Sequence, residues 1–126
     1  MLAAMARASL ARVWREADGA VVCERCEVPE STFGRMRGLL GRDGIEPGRG
    51  MLIDSAPSVH MFFMRFPIDV VFLDRAWRVV GVRHGLRPWR VAGARGAVAA
   101  LELPAGAAAA AGIEEGDVLA REVLEE

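Results

Sequence analysis

Residues 59–74, Val-His-Met-Phe-Phe-Met-Arg-Phe-Pro-Ile-Asp-Val-Val-Phe-Leu-Asp, constrain the fold more than any other stretch of the chain. They hold four of the five phenylalanines and end in an apolar run, residues 68–73, that only Asp69 interrupts. Such a run reads as a buried strand. Strand alternation puts Ile68, Val70 and Phe72 on one face and Asp69, Val71 and Leu73 on the other, so neither face is an obvious solvent face. A carboxylate in that setting must be paired, solvated in a cleft or protonated, because leaving it bare costs several kcal/mol.

Composition narrows the surroundings of this strand. A chain of 126 residues makes one domain, here residues 10–124 behind a tail of residues 1–9, and can bury a core without a metal or disulfide staple. The net charge of -1 argues against a nucleic-acid binder that works through bulk electrostatics. All sixteen basic residues are arginine, a bias that reads as GC-rich coding and weakens any argument from arginine number. Arg7, Arg12 and Arg15 break the mildly apolar N-terminus before it reaches the length of an export signal or a membrane span. The expectation is a cytoplasmic protein with no membrane and no nucleic-acid partner.

Along the chain, residues 10–16 and 20–28 flank Asp18-Gly19 and predict a β-hairpin. Cys23 and Cys26 fall in its second strand, on opposite-leaning positions, without the helix start of a redox pair or the further ligands of a zinc site. No metal and no cofactor is expected. Residues 29–41 predict a short helix with Phe33, Met36 and Leu40 on its apolar stripe. Arg37 lies on the rim of that stripe and Arg35 points away. Residues 50–54 predict a strand, and Pro67 makes a kink just ahead of the buried strand, leaving His60 and Arg65 in a loop.

Arg75-Ala76 reads as a tight turn, and residues 77–82 as the antiparallel partner of the buried strand. Residues 83–96 carry His84, Arg87, Trp89, Arg90 and Arg95 and read as a basic loop, either a solvated connection or a site for an anion or acidic partner. Residues 97–103 predict a strand in which Glu102, between two leucines, repeats the problem of Asp69. Its bland reading is an outward residue on an edge strand. Pro104 predicts the start of a helix through Ala111, and residues 118–124 a last strand.

Arg37-Gly-Leu-Leu-Gly-Arg42, Gly50-Met51, residues 60–64, Pro67-Ile-Asp-Val-Val-Phe-Leu-Asp74, Leu101-Glu-Leu, Ala105-Gly106, Gly112-Ile113 and Gly116-Asp117 follow one another in an order that resembles the DUF192 family, also called UPF0127. The resemblance runs from about Leu10 to Val123. It implies an α+β, strand-dominated domain: a curved or barrel-like, mostly antiparallel sheet with two or three short helices. It implies no activity. Met61 departs from the threonine that relatives often place there, and Cys26 is a local substitution.

Three functional readings follow. The first is a small binding module for a small polar ligand or a peptide, acting as a monomer or weak dimer, with Arg37, Arg42, His60, Met64, Asp69 and Glu102 as its candidate site. The second is a hydrolase using Asp69 and Glu102, or His60 with Asp69, as acid and base. The third is a non-catalytic interaction protein in which Arg37 and Asp69 form a buried ion pair that seats the first helix on the sheet.

Overall fold

The computed structural model describes residues 8–29 and 39–124. Among the described residues, nine strands and one short helix follow in chain order: β1 (Ala8–Arg15), β2 (Val21–Pro29), β3 (Arg49–Ile53), β4 (Ser58–His60), β5 (Ile68–Leu73), β6 (Val79–Leu86), β7 (Val91–Gly93), β8 (Ala99–Pro104), α1 (Ala107–Ala110) and β9 (Leu119–Leu124). Seven strands form one sheet in the order β6-β5-β8-β3-β2-β1-β9, and β4 and β7 make a separate two-stranded sheet. Only β2 and β3 run parallel among the described strands.

The expected strand-dominated, mostly antiparallel architecture is present, but the sheet does not close into a barrel. The residues just before its two edge strands meet at one isolated antiparallel bridge, Arg78 with Val118, where Val79 N–H donates to Asp117 O at 2.7 Å and Leu119 N–H to Trp77 O at 2.9 Å. Two or three helices were expected, and one is seen among the described residues. Pro104 stays in β8 instead of opening the helix, which runs only from Ala107 to Ala110. The predicted helix over residues 29–41 falls mostly outside the described residues, and Pro29 ends β2.

Alternation along the strands divides the apolar residues into two clusters. Val13, Cys23, Cys26, Val71, Leu73, Leu101, Leu103 and Leu119 lie on one side of the sheet, with Ala108 of α1 and Ile113 packed over them. Met51, Ile53, Ile68, Val70, Phe72 and Ala100 lie on the other, under Leu39, Val59, Met61 and Met64. With cover on both sides, all six residues of β5 are buried, which is why its sequence shows no polar face.

The Asp18-Gly19 signal marks a real β1–β2 hairpin, with Gly19 at φ 75° in a loop of residues 16–20 rather than a two-residue turn. Arg15 braces it, donating to both Asp18 oxygens at 3.0 Å. The two cysteines do not lean to opposite sides. Ala11 pairs with Cys26 and Val13 with Cys23, so β2 carries one extra residue between them, and this bulge turns both thiols into the same cluster. The basic stretch 83–96 is not a plain loop either: β6 continues to Leu86 and β7 begins at Val91.

A helix of four residues has no stability of its own. Side chains from the sheet hold both of its ends. Arg15 of β1 donates to Ala111 O at 3.0 Å and Gly112 O at 2.9 Å, satisfying carbonyls that the helix leaves open. The other end is held from β5.

Candidate functional site

Asp69 is fully buried, and it is that other holder. Its Oδ2 accepts the N–H of Gly106 at 3.0 Å and of Ala108 at 2.9 Å, and its Oδ1 accepts the N–H of Gly85 at 2.8 Å. Gly106, at φ 94°, is the N-cap residue of α1 and has no side chain to cap with, so a carboxylate from β5 caps the helix at long range. One aspartate thus ties β5, β6 and α1 together. The answer expected of a guanidinium is given by peptide amides; Arg37 itself lies outside the described residues.

Glu102 sits on the opposite face. In the β5–β8 ladder Asp69 stands across from Leu103 and Val70 across from Glu102, and in the β3–β8 ladder Met51 stands across from Glu102. Paired residues share a face, so Asp69 goes with Leu103 to the side covered by α1, and Glu102 with Val70 and Met51 to the other. The two carboxyl groups are separated by the sheet and cannot act on one bond. Nor is Glu102 on an edge strand: β8 lies between β5 and β3. It is half-buried, no described residue hydrogen-bonds or pairs with its carboxyl, and loss of solvent pushes the group up to about 7.

Glu27 occupies the same rank of side chains, since it stands across from Met51 on β2. Both oxygens of Glu27 meet Arg42, at 2.7 and 3.0 Å, a two-pronged pairing that holds the Glu27 carboxyl below the usual carboxylate range. The pair lines a cleft of about 280 Å³ with Gly44, Ile45, Glu46 and Arg49. The loop of residues 42–48 forms the outer wall, and Gly48, at φ 82°, returns the chain to the sheet. Gly50 then lets β3 approach β8: a Cβ there would lie 2.7 Å from Glu102 O and 3.1 Å from Cys23 Sγ.

The remaining candidates do not join this site. Met64 is buried in the cluster under the small sheet. His60 is exposed on β4, not in a loop, and stacks on Phe62 with ring centroids 5.1 Å apart. No group of three or more His, Cys, Asp or Glu side chains among the described residues is placed to hold a metal ion. The Cys23 thiol donates to Gly48 O at 3.7 Å and the Cys26 thiol to Glu27 O at 3.9 Å; the influence of each thiol on the other holds Cys23 below and pushes Cys26 above the usual range, and burial adds to the latter.

Sequence reasoning missed Glu27 and Arg49, because they are brought to Arg42 by the β2–β3 pairing, which no local pattern announces. It also passed over the aromatic surface beside His60. Phe62 and Phe63 cannot both face a core in an extended chain, and here both are exposed, with Trp89 and Val91 next to them. Phe63 and Trp89 are held at φ 66° and 68°, a backbone cost of about 1–2 kcal/mol each.

Comparison with known proteins places this geometry. A UPF0127 protein of Thermococcus sibiricus is 34% identical over 112 residues, covering 86% of this chain and 73% of that protein. A protein of unknown function from Novosphingobium aromaticivorans has a crystal structure that superposes with a TM-score of 0.75 at 24% identity, covering 90% of this chain and 84% of the other. A Sinorhizobium meliloti protein described as a proposed transcription regulator superposes with a TM-score of 0.76 at 23% identity, covering 91% of this chain and 94% of the other. At those identities the two structures show the fold alone. The family model of DUF192, described as Uncharacterized ACR, matches residues 13–121, and the chain belongs to that family.

Proposed function

We propose that the protein is a non-catalytic binding module that takes up a small polar ligand carrying an anionic group in the cleft between the loop of residues 42–48 and the sheet. The observation that supports this reading is the charge arrangement in the cleft. Arg42 is already bound by both oxygens of Glu27, while Arg49 lines the same hollow with no ion pair to any described residue. Arg49 acts on Glu27 only through its charge, and a guanidinium whose N–H donors meet no described side chain in a concave site favours a carboxylate or phosphate. Glu102, one strand beyond Met51 on the same face, adds a carboxyl that changes charge near neutral pH.

The paired-acid hydrolase loses its support, because Asp69 and Glu102 stand on opposite faces and Asp69 is sealed by three amides. A thermal-shift scan with amino acids, small carboxylates and phosphate esters tests the binding reading. At a hundred times its dissociation constant a ligand adds about 2.7 kcal/mol to stability. At least one class is expected to raise the melting temperature of the intact chain and to lose that effect in Arg49→Gln. No rise with any class, or a rise indifferent to Arg49, contradicts the proposal.

A further inference from the structure

The outer face of the small β4–β7 sheet is the most unusual surface on the molecule. Five large hydrophobic side chains are exposed among the described residues, and four of them, Phe62, Phe63, Trp89 and Val91, lie together here. The Phe62 and Phe63 rings stand 5.9 and 4.9 Å from that of Trp89. Val91 is 63% exposed beside His60, its partner in the ladder. An apolar patch of this kind on a soluble domain marks an interaction site.

Its charge is equally one-sided. Residues 58–66 and 83–95, which build the patch, carry five arginines and both histidines and no aspartate or glutamate, in a chain whose net charge is -1. Arg65 is engaged by Asp43, and Arg83 donates to Gly93 O. Arg87 and Arg90, on either side of Trp89, are exposed, and no described residue pairs with their side chains. The platform is fixed from below. Met61 N–H donates to Arg90 O at 2.7 Å and Trp89 N–H to Met61 O at 2.8 Å, while Met61, Met64 and Val59 are buried in the core.

We propose that this face is a docking surface for an acidic segment of a partner protein. Tryptophan, phenylalanine and arginine on a preorganised support are the composition of binding hot spots, and two segments without a carboxylate of their own, touched only by Asp43 at Arg65, select an acidic partner. The Phe63 and Trp89 rings meet at 60°, so they cover part of each other's faces instead of lying open for stacked bases. A second copy presenting the same arginines would be repelled.

A displayed library of random peptides of about twelve residues, selected on the intact chain, tests the inference without knowledge of the partner. The expected result is enrichment of sequences rich in Asp and Glu with interspersed Leu, Phe or Trp. Their affinity should fall at least about tenfold in Phe63→Ser and Trp89→Ser. It should fall at least about fivefold, with loss of salt dependence, in Arg87→Gln/Arg90→Gln. These are exposed positions, and an unchanged far-ultraviolet spectrum confirms folding. No enrichment, or enrichment of peptides without acidic residues, overturns the proposal. So does binding of oligo(dT) or of phosphatidylglycerol vesicles that is tighter than any selected peptide and depends on the same side chains. None of these readings involves the Arg49 cleft, so its fate does not decide this one.

Discussion

Glu102→Gln should make the protein more stable at alkaline pH and, by about 1 kcal/mol, less stable in mild acid. In the folded chain the Glu102 carboxyl has lost solvent, gained no described partner and titrates at about 7 instead of its ordinary 4.5. Between those values the folded state holds a proton that the unfolded state has released, so stability falls as pH rises through the window. The group's contribution is fully present below about 4.5 and gone above about 7. At 1.36 kcal/mol per unit the loss is about 3 kcal/mol, an upper figure because partial exposure lets water relieve some of it. Glutamine keeps the shape without the charge but buries an amide, which costs about 1 kcal/mol. The net gain at about pH 8 is therefore roughly 1–2 kcal/mol, or on the order of 4–8 °C in melting temperature for a domain of this size. Melting curves of both proteins from about pH 5 to pH 8.5 decide it, because other titrating groups cancel in the difference. A difference that stays flat across neutrality, or a glutamine variant that is the less stable at about pH 8, would refute the reasoning.

Other perturbations probe the rest of the structure. Asp69→Asn should lower the unfolding free energy by about 2–5 kcal/mol in urea, since the new NH2 group faces amide donors; Asp69→Ala should cost at least as much. A loss below about 1 kcal/mol for both would contradict the amide cradle. Gly50→Ala should cost about 1–3 kcal/mol, because the added methyl group meets the Glu102 carbonyl at 2.7 Å and the backbone there cannot yield; an unchanged urea midpoint would show that β3 and β8 are not so close.

The strands were the most legible part of the sequence, and for a physical reason. Runs such as residues 68–73 and 97–103 are apolar enough that only a covered sheet accommodates them, and the structure covers β5 and β8 on both faces. The anomaly of Asp69 was legible too, but its solution was not. Its partners are the amides of Gly85, Gly106 and Ala108, and a backbone N–H leaves no trace in residue type. Glu102 looked like an edge residue because a lone acid between leucines usually faces water; the strand order, set by long-range pairing, makes β8 central. The bulge that turns Cys23 and Cys26 to one side adds one residue to a strand and follows no simple alternation. Pro104 suits the first turn of a helix as well as the end of a strand, and the sheet wins because β8 pairs with β5 as far as Pro104. Of the six candidate residues, Arg42 lines the cleft and Glu102 stands across from Met51 on the same face of the sheet as Glu27, whereas Asp69 is enclosed by three amides and Met64 is buried in the core.

Native-state hydrogen exchange of the Gly85, Gly106 and Ala108 amides tests the aspartate cradle most directly. These three N–H groups lie outside the ordinary ladder and helix pattern, so their protection depends on the Asp69 carboxylate. The account predicts that they exchange among the slowest in the protein, with opening free energies close to that of global unfolding. Exchange at the rate of exposed turn amides would mean that the carboxylate does not hold them, and that β5, β6 and α1 are not tied together by a sealed aspartate.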